Sequence, residues 1–272
     1  MRRLVGWGGA LPSALSPALI AAGLWWLICL VFASTLTALE ERSSDWIWRA
    51  SASTVRESRI ILVDIDEVSL AQLGPWPWSR QRVAELSDKL AAEGASLQVL
   101  DIIFPTSSSG DPKLVERLKK NNAVLAQTLA LDANVHVSIG QPAGSLSWAA
   151  CPANLPVAQG FVANEAAFGS LPVGHITPHI EEDGNLRRQP ALICYQDKVY
   201  PALFIVALSK ALSVGVSPIE AGTGLLAPAW RLPSPSFEKS GLPLDSQGLV
   251  RVPWASHPDA FISLSAADVL AG

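Results

Sequence analysis

From Leu4 to Leu39 the chain carries no charged side chain, and this constrains its folding environment more than any other feature. Within the run, Ala18 to Leu39 is a stretch of 22 residues rich in Leu, Ile, Ala, Val and Trp. At about 1.5 Å per helical residue it reaches roughly 33 Å, enough to cross a hydrocarbon core of about 30 Å. Few helices of soluble domains are apolar on every side for so many turns. A lipid bilayer is therefore the expected partner of residues 18–39. Arg2 and Arg3 precede the run, and Glu40, Glu41, Arg42 and Asp45 follow it. The positive-inside rule then puts residues 1–17 in the cytoplasm and everything beyond Leu39 outside. A cleavable signal peptide competes, with a modest cleavage site at Val31-Phe32-Ala33. Its apolar core normally spans only roughly 7–15 residues, which favours an uncleaved single-pass signal anchor.

The exported part, residues 40–272, has a net charge of −6, against −4 for the whole chain. No basic block exists to neutralise phosphates, so a nucleic-acid partner is not expected. Hydrophobic residues make up 49% and charged residues 16% of the 272. That length and composition support one or two domains with a proper core and exclude disorder over most of the chain. Three cysteines are too few for a small disulfide scaffold. Cys29 falls in the apolar run. Cys151 and Cys194 fall in the exported part, where they either pair in an oxidising compartment or stand as buried thiols.

Residues 40–58 read as a membrane-proximal linker or helix, with Trp46 and Trp48 at interfacial depth or packed on the domain. Residues 59–272 read as one α/β domain, three-layer-like, with a partly parallel central sheet plus antiparallel hairpins. Residues 59–66 (RIILVDID) predict a buried central strand. Residues 67–79 predict an irregular turn. Ser79 can cap a helix from Arg80 to Glu93, and residues 96–104 predict the next strand, together a βαβ unit. A helix from Pro112, capped by Asp111, leads to a strand over Val124–Leu129. Hairpins are expected around Glu182-Asp183-Gly184-Asn185 and around Ser246-Gln247-Gly248, with a core helix from Pro201 to Leu212. A short helix, Ala266 to Leu270, comes just before the last residue with no closing strand after it. The chain thus reads as cut inside or near the end of its domain.

Several of these segments resemble one family. Ile61 to Arg80 (ILVDIDEVSLAQLGPWPWSR) resembles the opening of the second family of cyclase/histidine-kinase-associated sensory extracellular (CHASE) domains. Val99 to Phe104 is similar to its next strand. Glu182-Asp183-Gly184 with Leu186-Arg187-Arg188 resembles its D-G-x-x-R hairpin, followed by Tyr200-Pro201-Ala202-Leu203. Pro243-Leu244-Asp245, Gly248 and Ala267 to Gly272 resemble its carboxy-terminal part. The resemblance covers about residues 55–272. It implies the sensing domain of a bacterial receptor outside the inner membrane, whose cyclase, kinase or cyclic-di-nucleotide output lies outside this chain. Receptor logic adds an unknown small ligand and a homodimer.

Asp64 and Asp66 end the first predicted strand, and Asp101 lies near the end of the second. If the two strands are neighbours, three carboxylates meet at the edge where open parallel sheets bind ligands. Three partners can compensate them: a hard cation such as calcium or magnesium, an organic ligand, or the turn backbone together with Arg80. The rings of Trp76 and Trp78 at the same edge suit stacking on a ligand, or closing the sheet as a plug. The expected ligand site is therefore Asp64, Asp66, Trp76, Trp78, Arg80 and Asp101, with no catalytic residue and no cofactor. The alternative is a periplasmic metal-dependent phosphatase, because Asp64-Ile-Asp66-Glu-Val68 is similar to the haloacid-dehalogenase-like D-x-D-x-T/V motif. In that reading Asp64 is the nucleophile and Asp66 the acid/base. Its required lysine would have to come from Lys113, Lys119 or Lys120. His175 and His179 are four apart, but Pro178 disfavours the helix that would align them for zinc.

Overall fold

The computed structural model describes residues 15–51, 55–181, 183–223, 227–233, 241–252, 254 and 260–272. Arg2, Arg3, Glu182, Pro253 and His257 lie outside them. The chain divides into two compact units, Met1–Thr54 with Trp254–His257, and Val55–Pro253 with Pro258–Gly272.

In the first unit, helices α1 (Leu15–Val31) and α2 (Ala33–Ala50) meet at Phe32. Phe32 departs from helical geometry, at φ −106° and ψ 20°, although hydrogen bonds of 2.9 Å from Phe32 N–H to Ile28 O and from Leu36 N–H to Phe32 O carry across it. The apolar run is thereby divided. Helix α1 has 17 residues, about 25 Å in length, and α2 takes up the charged residues from Glu40 onward. Among the described residues no helix is long and apolar enough to cross a membrane. This corrects the expectation of one spanning helix over 18–39. The apolar side chains are nonetheless open: Leu19, Leu24, Trp25, Trp26, Phe32 and Leu39 are all more than half exposed.

The second unit is α/β. In chain order it runs β1 (Glu57–Asp64), α3 (Glu67–Leu73), α4 (Arg80–Ala92), β2 (Gln98–Leu100), α5 (Asp111–Lys120), β3 (Ala123–Ala130), β4 (Ser138–Ile139), β5 (Gly160–Val162) and β6 (Val173–His175). It continues through β7 (Arg188–Pro190), β8 (Leu192–Tyr195), β9 (Lys198–Pro201), α6 (Leu203–Leu212), β10 (Glu220–Ala221), β11 (Trp230–Leu232), β12 (Leu242–Leu244), β13 (Leu249–Arg251), β14 (Phe261–Ser265) and α7 (Ala266–Ala271).

Strand β3 organises the core. It pairs in parallel with β2 and β6 and antiparallel with β5, which carries β4 in parallel. Successive β3 side chains alternate between faces. Ala123 and Leu125 pack with Val83 and Ala84 of α4 and Leu114, Val115 and Leu118 of α5. Val124 and Ala126 pack with Leu203 and Val206 of α6. Helices thus cover both faces of a mixed sheet, the three layers expected from the sequence.

The strand neighbours differ from expectation. The parallel βαβ unit is β2–α5–β3, whereas β1 pairs in parallel with β14, from Ile61↔Ile262 to Asp64↔Ser265. An apolar run specifies a strand but not its neighbour. Here β1 lies in a two-stranded ladder, and Ile60, Ile61 and Leu62 are 53%, 51% and 45% exposed. It is neither central nor buried. Residues 67–79 also contain a helix, α3, because Asp66 caps it and Glu67 complements its amino-terminal dipole. The turn over 245–248 closes through Asp245 N–H to Leu249 O at 3.0 Å. However, β12 pairs with β11 and β13 with β7 rather than with each other. Around the expected 182–185 hairpin the described residues form an isolated His179↔Arg188 bridge, whereas β8 and β9 form a regular hairpin.

Candidate functional site

The end of β1 is stitched to the end of the chain by a chain of hydroxyls. The Asp66 carboxylate accepts the Ser69 amide at 2.8 Å and the Ser265 hydroxyl at 2.9 Å. Because Ser265 spends its proton on Asp66, the buried Ser69 hydroxyl donates to Ser265 Oγ at 3.0 Å. Ser69 Oγ in turn accepts the Ala267 amide at 2.9 Å. Hydrogen bonds from Ser69 and then Ser265 hold the Asp66 carboxyl below the usual carboxylate value. Asp64 is exposed and accepts a hydrogen bond from Ser263. The Asp66 network joins α3, the end of β14 and the first turn of α7, and the Asp64–Ser263 bond ties β1 to β14 beside it.

Arg80 is committed elsewhere. Its Nε donates to Asp111 Oδ1 at 2.6 Å and its Nη2 to Thr106 O at 2.8 Å. The guanidinium lies 4.5 Å from the centroid of Phe104, whose ring stacks on Phe168 at 5.0 Å. Asp111 is buried and also accepts the Ser108 amide at 2.7 Å. Gly110 leaves room for this: a Cβ there would come within 2.7 Å of Arg80 Cβ. Trp78 is buried in the core cluster, its indole N–H donating to Gly74 O at 3.0 Å. Trp76 is 41% exposed, its ring 6.0 Å from that of Trp78. Trp78 thus serves as a plug, while Trp76 stays accessible.

Asp101 follows β2 and is exposed. Since β1 and β2 belong to different sheets, the structure does not gather Asp64, Asp66 and Asp101 at one sheet edge. Among the described residues no group of three His, Cys, Asp or Glu side chains is placed to hold a metal. Lys113, Lys119 and Lys120 are exposed on α5. Cys151 and Cys194 are joined as a disulfide, with Cα atoms 6.0 Å apart.

Two features escaped sequence reasoning. The first gives the D-G-x-x-R segment its physical meaning. Arg187 is buried and donates to Glu181 Oε2 at 2.7 Å and to both Asp183 oxygens at 2.9 Å. The Arg187 hydrogen bonds, above all, pull the Asp183 carboxyl far down. The second is His175, fully buried in β6. The sequence offered only its four-residue spacing to His179, which says nothing of burial.

With the fold and this junction in view, the comparison with known proteins is decisive. A family model described as a CHASE2 domain matches residues 21–271. The chain belongs to the CHASE2 domain family. No curated protein and no solved structure matches it. The CHASE2 family is a sensory, extracellular one. In this CHASE2 domain three of the segments quoted above serve as structural devices: the Asp66 cap, the Arg187 ion pairs, and the Tyr200-Pro201 approach to α6.

Proposed function

We propose that the chain is the signal-input domain of a bacterial membrane receptor, non-catalytic, lying outside the inner membrane and attached to it by the apolar segment before Glu40. The observation that carries this reading is the CHASE2 match over residues 21–271. Two others support it. Contiguous exposed Leu, Ile, Trp and Phe side chains before Glu40 need a non-aqueous surface. The Cys151–Cys194 disulfide suits an oxidising compartment. A stimulus, a small ligand or an envelope condition, acts by favouring one of two conformations. The β1–β14 ladder is the natural relay, because β1 follows α2 in the chain and β14 leads into the last helix. Output and dimerisation belong to the full receptor.

The test is the location of the full chain, tagged at its carboxyl end, in bacterial cells. The expected result is recovery with membranes after a high-salt wash, and digestion of the tag by protease added to spheroplasts. Recovery in the soluble cytosolic fraction, with the tag protected, would contradict the reading.

A further inference from the structure

His175 is the last residue of β6 and is completely buried. Among the described residues neither of its ring nitrogens has a hydrogen-bond partner. Buried polar groups are nearly always paired, and an exception calls for an explanation. In register beside it on β3 stands Gln127. The Gln127 amide is engaged with the Ala143 backbone, donating to its O at 2.9 Å and accepting from its N–H at 3.1 Å. On its other edge His175 bridges Ala202, the residue before α6.

The surroundings carry almost no charge. Strand β3 has no titratable residue, and α6 has only Lys210, exposed near its far end. Strand β9 contributes exposed Lys198 and buried Tyr200, whose hydroxyl burial pushes up in pKa. The segment at Gly144, whose Cβ would lie 2.3 Å from Val173 O, has no charged side chain from Ser138 to Ala150. Burial alone lowers the His175 pKa to about 3. Water cannot reach the ring without parting β6 from its neighbours. The fit against α6 is close: a Cβ on Gly174 would lie 2.5 Å from Leu203 Cα.

We propose that His175 is a proton-sensitive latch, neutral and enclosed in the closed domain, and that acidification of the compartment opens the β6–α6 packing to protonate it. This rests on the sensory reading above and names its stimulus as the proton. An imidazolium without an acceptor is intolerable in such a site, so the proton binds the opened form and shifts the population toward it. The sign follows from linkage. A histidine whose folded pKa is depressed stabilises the closed form above its unfolded value near 6.5, and that contribution is lost as pH falls from there toward about 3.

The experiment is denaturant unfolding of the full chain in detergent from pH 7.5 to 4.5, comparing wild type with His175→Gln and His175→Leu. Across this range the opening or unfolding constant of wild type is expected to rise about 100-fold more than that of either variant. Parallel pH profiles would overturn the proposal. Should both variants fail to fold, the wild-type histidine ring resonances decide. His175 is expected to stay neutral to the pH at which the domain opens. A His175 ring titrating near pH 6.5 in the folded domain would overturn the latch. Neither readout depends on where the chain resides in the cell, so failure of the latch and failure of the sensory reading are told apart.

Discussion

Strands β1 and β3 are both eight-residue and parallel-paired, each with an apolar run, yet they have opposite fates. Strand β3 has partners along both edges and helices on both faces, and Val124, Leu125 and Ala126 have no exposure at all. Among the described residues strand β1 has one partner, β14, and keeps Ile60, Ile61 and Leu62 about half exposed. Apolar content thus sets the propensity to form a strand, while neighbours set its stability. A sensor can use both kinds: a rigid frame, and a weakly held element able to take two positions.

The largest effect is expected in the frame. Arg80→Ala leaves Asp111 buried without its countercharge and is expected to destabilise the domain by about 3–5 kcal/mol in denaturant titrations. A loss near zero would mean that the Arg80–Asp111 pair is solvated. Truncating β3 comes next: Leu125→Ala removes a side chain packed beneath α4 and α5, at a cost of about 2–5 kcal/mol. The smallest effect belongs to β1, where Leu62→Ser is expected to stay within about 0.5 kcal/mol. The comparison breaks if Leu62→Ser and Leu125→Ala destabilise equally.

Local signals carried much of the fold. Ser79 before Arg80 announces α4, and its side chain does accept the Arg82 amide. Pro112 marks the start of α5, and the apolar stretch after Pro201 marks α6. Long-range pairing was not legible, because Ile60-Ile61-Leu62 is equally compatible with a central strand and an outer one. Only the partner, Phe261–Ser265 near the other end of the chain, decides. The expected meeting of three carboxylates at one sheet edge was not legible for the same reason. Asp64 and Asp66 lie at a strand end, as read, but that strand does not adjoin the one leading to Asp101. Their carboxylates meet Ser263, Ser69 and Ser265 instead. The Arg187 ion pairs form with Asp183 and Glu181, four and six residues earlier, and the D-G-x-x-R spacing held the Asp183 part of that signal. His175 offered only its spacing to His179, since the burial of a histidine depends on the strands packed around it.

The central claim is a rigid frame coupled to a weakly held β1–β14 relay, and amide hydrogen exchange on the full chain at neutral pH tests it most directly. The account predicts that β3 amides exchange only through global unfolding, while β1 and β14 amides exchange through a local opening of much lower free energy. Equal protection of β1 and β3 would contradict it.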